Sequence, residues 1–464
     1  MAMIKIKKRH LVPPCKETWN GIFPLSQLDQ VGVITHSSHI HLYERPIDEE
    51  WLNPTENKII KTLKESLSLA LVSFYPLAGR LRSLCEGRFE LECNAMGAEL
   101  IDASCDMNLS DLGNLLSSNK KIRNLLPKMD YHQVHGKPIN DIPVLVVQVT
   151  QFQCGGLSFG MSVSHLVVDG RSAFYFTEEW ARLARGEQLK IKPFHDRKVL
   201  DGDVLARPPA YDGKSGNYFS DLYFGRVEKI EWENKATPTT VILRKDKIEK
   251  LKKAANSNTE GVHGRPYSRF EVITAYMWIC LTKARELNTE EITSLACCVD
   301  VRGRLNPPLP SSYFGNAIVD VIATSRVGEL LCRPLSYACS KVRKALDEVN
   351  DEYVSSAISY YKNKKSLAKY QMFDDRGNMK CPSPSSSSSS ANDHSAFVLS
   401  WLNLSDSEIN FGWGNCVYTG PCLVRGSDGD IMLFPSDSVG SVTVTVCLPS
   451  KGKFLRCVNS PILI

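Results

Sequence analysis

His165 and Asp169 open and close a short run, His165-Leu166-Val167-Val168-Asp169-Gly170, in which an HxxxDG stretch ends an apolar segment and starts a helical one. An imidazole with an unperturbed pKa of about 6.5 can take up a proton near neutrality and give it back, as a general base must. A carboxylate four residues on can hold such an imidazole or simply begin a helix. Two fixed residues also occur as an ordinary packed His and a helix-start Asp, so the pair gains weight only from what positions it. Residues 142–152 read as a buried strand and Cys154-Gly155-Gly156 as its turn. Leu157, Phe159, Met161 and Val163 then alternate along a returning strand, with His165 in the same parity. Gly170 breaks the run, and Ala173, Phe174, Phe176, Trp180 and Leu183 recur at helical spacing. The motif is therefore expected at a strand-to-helix junction, on a loop held by rigid elements.

A second signal lies downstream, in Asn410-Phe411-Gly412-Trp413-Gly414, with Ser400-Trp401 ahead of it. Glycines on both sides of a Trp imply a backbone turning tightly around a large ring, a packing demand before a chemical one. Together, HxxxDG in the first half and xFGWG near the C-terminus make the chain resemble the plant BAHD acyltransferases along nearly its whole length. Further stretches match in order: Phe74-Tyr75-Pro76-Leu77-Ala78-Gly79-Arg80, Asp300-Val301-Arg302-Gly303-Arg304 and Tyr313-Phe314-Gly315-Asn316. Within that family the chain is similar to spermidine hydroxycinnamoyl transferases. The stretches concerned are Leu28-Asp29-Gln30-Val31-Gly32-Val33-Ile34-Thr35-His36, Gly87-Arg88-Phe89-Glu90-Leu91, Phe152-Gln153-Cys154-Gly155-Gly156 and Trp180-Ala181-Arg182-Leu183-Ala184-Arg185-Gly186-Glu187. One position departs: the family starts its C-terminal motif with Asp, and here it is Asn410.

The resemblance implies an α/β fold of two similar coenzyme-A-dependent acyltransferase domains, mixed sheets flanked by helices, with the reaction channel between them. Residues 1–195 would carry HxxxDG and residues 236–464 the xFGWG motif, joined by residues 196–235, where periodicity fades into Gly, Pro, Asp and Lys. The implied reaction passes an acyl group from a hydroxycinnamoyl or related aromatic CoA thioester to an amine such as spermidine. It needs no acyl-enzyme, no permanently bound cofactor and no metal, and acyl-CoA is the co-substrate.

His165 is then the general base, and Asp169 pairs with Arg302 to pin the loop rather than aiming the imidazole. Trp401 matches a position whose indole N–H lies near the reaction centre, suited to a developing oxyanion, although its residue type alone fits a core aromatic equally well. Ser268 and Arg269 match a stretch near the nucleotide phosphates, Ser400 the pantetheine path, and His36 the acceptor pocket. Gly170, Phe411, Gly412, Trp413 and Gly414 are motif residues with structural roles. Related shikimate transferases carry a Thr where this chain has Leu399, and use an Arg upstream of the Ser-Trp pair to bind the acceptor carboxylate. Between Lys380 and Trp401 there is no Arg or Lys, which disfavours a carboxylate acceptor. A polyamine needs acidic or aromatic partners, for which Asp393 is the one candidate visible in sequence. Two alternatives stay open: O-acylation of an alcohol or alkaloid, and a degenerate member that binds acyl-CoA without turning it over.

Composition agrees with these classes. A chain of 464 residues, 43% hydrophobic and 23% charged, fits two globular domains. The net charge of +5 includes no long basic block, so nucleic acid is not an expected partner. The N-terminus lacks the apolar core of a signal peptide, and no run approaches the roughly 18 apolar residues of a membrane span. Fifteen cysteines without CxxC spacing suit reduced thiols in a cytoplasmic protein, expected to be monomeric. Gly213-Lys214-Ser215 lacks the earlier glycine of a phosphate-binding loop, and residues 382–390 are a serine-rich tract.

Overall fold

The computed structural model describes residues 4–52, 57–113, 120–129, 139–200, 237–257, 265–372, 395–404, 409–421, 428–436, 438–448 and 451–459. Two six-stranded sheets organise them. The first runs Ile4–Val12, Ala98–Cys105, Leu145–Phe152, Leu157–Ser164, His36–Tyr43 and Cys416–Pro421 in spatial order. It is antiparallel apart from the pairing of Ala98–Cys105 with Leu145–Phe152. The hairpin expected from the alternating pattern forms, and Leu157–Ser164 returns along its partner with Gln151 opposite Leu157. All eight of its residues are buried, because helices cover one face and the segment around Leu125 and Leu126 covers the other.

On the helical side lie Lys58–Ser73 and Gly170–Ala184, packed on each other. Their apolar stripes, including Leu63, Leu67, Leu71, Phe174, Phe176 and Trp180, close the first core. Asp169 caps the second of these helices, its carboxylate accepting the backbone N–H of Ser172 at 2.9 Å. Gly170 is the first helical residue and has an ordinary helical entry, so its role is to start the helix and not to break the run.

The second sheet is ordered Thr237–Leu243, Val442–Leu448, Asp430–Pro435, Ser395–Ser400, Ile292–Asp300 and Ile318–Arg326. Ser395–Ser400 runs parallel to both neighbours. Arg269–Arg285 and Leu335–Asp347 pack on one face, burying Leu295, Cys297, Val299, Val319, Val321 and Ala323. Residues of opposite parity, among them Cys298, Asp300, Asp320, Ile322, Phe397 and Leu399, stay partly or largely exposed. This half therefore has one covered and one open face. Its helix Lys245–Asn256 is preceded by Arg244, with Asp246 in the first turn.

A break in this plan involves residues 409–421. They lie in the half expected to form the second domain, yet Cys416–Pro421 pairs with His36–Tyr43 in the first sheet, and Phe411 and Trp413 sit in the first core. Their large rings are buried there against Phe159, Trp180 and Tyr43. Most of the expected linker, residues 201–235, lies outside the described residues, as does the serine-rich tract. Arg197 at the linker's start is buried and anchored. No described helix is long and apolar enough to cross a membrane, and all described cysteines are free.

Candidate active site

Strand Leu157–Ser164 ends one residue before His165, whose backbone N–H donates to the Thr35 carbonyl at 2.9 Å. The next three residues, Leu166, Val167 and Val168, bury their side chains in the first core and hold the loop from below. His165 itself remains partly exposed. Burial lowers its pKa below the usual 6.5, with the Asp169 charge opposing part of that shift. The ring is therefore uncharged at neutral pH and free to accept a proton.

Asp169 is fully engaged by other groups. One carboxylate oxygen accepts from the Ser172 N–H at 2.9 Å and Arg302 Nη2 at 3.0 Å. The other accepts from Arg302 Nη1 at 2.8 Å and the Ala317 N–H at 3.1 Å. This is a bidentate, buried ion pair across the two halves of the chain. Burial alone would raise the carboxyl's pKa, but the guanidinium and the two N–H donors overcome it and hold the group below its usual value of 3.8. Arg302 also donates to the Gly315 carbonyl at 2.8 Å, Ser172 Oγ at 3.0 Å and Asp300 at 3.2 Å. Both oxygens are thus taken by donors of the loop and the second half, and none of these bonds reaches the imidazole.

Three residues outside the sequence-derived set complete the support. Asp29, wholly buried, pairs with Arg197 Nε at 2.8 Å and accepts from both the backbone and side-chain N–H groups of Asn316 at 2.9 Å. Asn316 Nδ2 also donates to the His165 carbonyl at 2.7 Å, and Arg197 Nη2 to the Val167 carbonyl at 3.1 Å. A second buried ion pair thus grips the same loop from the other side. Asp29 and Asn316 stood in stretches already quoted for the family likeness. Arg197 carried no such signal, since it opens the aperiodic segment.

Trp401 continues strand Ser395–Ser400, its N–H bonding the Leu433 carbonyl at 2.7 Å. Its ring meets Phe174 of the motif helix edge-on at 5.6 Å and His39 at 6.4 Å. It is the point at which the open face of the second sheet touches the HxxxDG helix. Ser400, one residue earlier, has the opposite parity, and its Oγ accepts the Leu402 N–H at 3.4 Å. His36 is buried, its Nε2–H donating to the Pro143 carbonyl at 2.9 Å, and burial lowers its pKa to about 4. That nitrogen is spent on the fold. His39 and His41 on the same strand are buried and uncharged for the same reason, and each has an Nε2 without a partner.

Ser268 caps helix Arg269–Arg285 through a reciprocal box with Glu271, and with Arg269 it opens the helix on the covered face of the second sheet. No described contact joins either residue to His165 or Trp401. Asp393 lies outside the described residues. Asn410 folds its own loop: Oδ1 accepts the N–H groups of Gly412 at 2.8 Å and Gly414 at 3.3 Å, while Nδ2 donates to Asn415 at 3.1 Å. Gly412 and Gly414 have φ of +113° and +129°, closed to L side chains, and a Cβ on Gly412 would meet the Trp51 ring at 3.2 Å. Phe411 and Trp413 stack at 5.2 Å within the first core. The xFGWG motif is thus a clip for the exchanged strand.

Comparison with known proteins agrees with this geometry. Residues 2–453 match the Transferase family. The hydroxycinnamoyl-CoA:piscidic acid hydroxycinnamoyltransferase of Actaea racemosa is 37% identical over 452 residues, covering 96% of each chain. An anthranilate N-benzoyltransferase of Dianthus caryophyllus is 32% identical over 457 residues, covering 97% of each. Among solved structures, vinorine synthase superposes with a TM-score of 0.69 at 19% identity, covering 98% of this chain and 96% of its own. The TRI101 protein of F. sporotrichioides, in complex with coenzyme A and T-2, gives 0.68 at 19% identity, covering 96% of this chain and 98% of its own.

Proposed function

Since this chain belongs to the Transferase family, the BAHD acyl-CoA-dependent acyltransferases, we propose that it moves a hydroxycinnamoyl or related aromatic acyl group from its CoA thioester to an amine acceptor of the spermidine kind. The observation that carries this reading is the uncharged, partly exposed His165, clamped by two buried ion pairs where the halves of the chain meet. In the proposed step the neutral amine attacks the thioester carbonyl, His165 takes the amine proton, the C–S bond breaks, and the proton passes to the departing thiolate. A thioester is already activated, so orientation, a base and an oxyanion donor suffice. The Trp401 indole N–H is the proposed donor.

Two observations favour an amine. The open face of the second sheet presents Asp300 and Asp320, and the one cation at that parity among the described strand residues, Arg326, lies at the far end paired with Glu290 at 2.9 Å. N-acylation is also named among the relatives. A second reading, O-acylation, is favoured by relatives named as O-feruloyl and O-hydroxycinnamoyl transferases. Acceptor-dependent thiol release with p-coumaroyl-CoA, followed by product mass, separates them. Release with spermidine supports the proposal; release with hydroxyl acceptors alone replaces it. Binding of acyl-CoA without release to any acceptor would make the chain a degenerate binder.

A further inference from the structure

The open face of the second sheet carries a carboxyl that the transfer step does not use. Asp320 stands opposite Cys298 in the antiparallel pairing of Ile292–Asp300 with Ile318–Arg326. Its neighbours Val319 and Val321 point into the helical core, so Asp320 points to the open face, the one that leads to Trp401. Asp300, on the same face, is committed to the Arg302 N–H at 2.9 Å and Arg171 at 3.0 Å. Asp320 differs: among the described residues its carboxyl meets only Cys298, and no Lys, Arg or His forms an ion pair with it.

Helix Asp351–Lys362 borders the position. The Tyr353 O–H donates to the Asp320 carbonyl at 2.6 Å, and Tyr361 lies close enough to feel the carboxyl charge. Cys298, opposite Asp320, also lies within electrostatic range of Asp169, which places the position near the loop that carries His165. Although the residue is only half-buried, its carboxyl is desolvated against the sheet and held near pKa 7, a costly state for an acid without a charged partner, and a bound cation would relieve it.

A diamine or polyamine attacks through one neutral nitrogen while its other nitrogens remain protonated. Those charges need a counter-charge away from the imidazole. We propose that Asp320, bordered by Tyr353 and Tyr361, binds the distal ammonium of the acceptor and so selects cationic acceptors over neutral and anionic ones. This rests on the amine reading above and names the residue behind its specificity.

The test uses the full chain with p-coumaroyl-CoA, comparing spermidine with a neutral alcohol and a monoamine lacking a second nitrogen. Asp320→Asn should raise KM for spermidine at least tenfold, with kcat, the KM for p-coumaroyl-CoA and the monoamine kinetics within about threefold of the parent. An unchanged spermidine KM overturns the role of Asp320 while leaving polyamine transfer intact. A parent enzyme that acylates only alcohols or monoamines overturns the amine-acceptor reading and this inference together. Asp320→Ser removes the charge with a smaller side chain and must reproduce the KM effect. If the two variants lose activity towards all three acceptors in parallel, with lowered melting temperatures, the residue is structural and the inference fails.

Discussion

Replacing Asp169 by Asn tests the central geometric claim, that this carboxylate positions the loop and does not touch the imidazole. The amide presents an NH2 to two donors, either Ser172 N–H and Arg302 Nη2 or Arg302 Nη1 and the Ala317 N–H. Whichever way it turns, two hydrogen bonds become repulsive contacts. Arg302 is left buried, with only the part-exposed Asp300 at 3.2 Å as counter-charge. Breaking one side of a buried pair costs about 3–5 kcal/mol, or roughly 10 °C of melting temperature for a cooperative unit of this kind. A loop relaxed by about 1 Å at His165 costs about 10² in rate. Thermal melts and thiol-release kinetics on the same preparation read both. The pH dependence adds a check of sign. The Asp169 pKa is depressed by its partners, so its stabilisation is complete above 3.8 and disappears as the pH falls through the lower folded value. The parent should therefore lose melting temperature below pH 4 faster than Asp169→Asn does. A variant that is slow yet melts like the parent at neutral pH would refute the positioning role and return Asp169 to the imidazole.

His165→Ala should lower turnover about 10²- to 10⁴-fold with little change in melting temperature, and wild-type turnover at saturating substrates would end the general-base assignment. Because burial depresses the His165 pKa, kcat/KM for the parent, once divided by the fraction of neutral amine in the acceptor, should be flat at neutral pH and fall only below 6.5; an acid limb above 6.5 that survives this division contradicts it. Asn316→Ala removes the donor that bridges Asp29 and the His165 carbonyl and should cost about 1–3 kcal/mol together with kcat, leaving KM for acyl-CoA near the parent value, whereas a pure KM effect would dismiss the bridge. Asn410→Asp keeps the oxygen that accepts from Gly412 and Gly414 and loses only the donor to Asn415, so activity should change less than about tenfold. An inactive parent revived by that Asp would sink the enzyme reading.

Local periodicity carried much of this structure. The hairpin of Leu145–Phe152 and Leu157–Ser164, the helix after Asp169 and the placement of His165 between them follow from alternation, turn residues and helical spacing, all short-range properties. The ion pair of Asp169 with Arg302 was accessible only through family likeness, because its partners are far apart in sequence. The Asp29, Arg197 and Asn316 network was missed for a related reason: buried polar groups choose partners in three dimensions, and Arg197 lies at the start of an aperiodic stretch. The parity rule suggested an exposed face for Leu157–Ser164, but covering elements on both sides remove it. Pairing of Cys416–Pro421 with the first sheet is a contact of very long range, and nothing in the strand's own residues announces it.

That pairing sets a schedule for biosynthesis. His36–Tyr43 emerges from the ribosome early, and the strand that completes its outer edge follows about 370 residues later, which at ordinary translation rates is roughly 20–75 s. Throughout that interval the first sheet has an open row of N–H and C=O groups, the kind of edge on which nascent chains associate. Phe411 and Trp413 arrive with the closing strand, so the same late event seals the edge and fills the core beneath it. A first half expressed alone lacks both, and it would emerge as a sheet without its border and a core missing two large rings. Co-expressing the second half as a separate polypeptide supplies the missing strand in trans, and soluble recovery of the pair is the readout of that dependence.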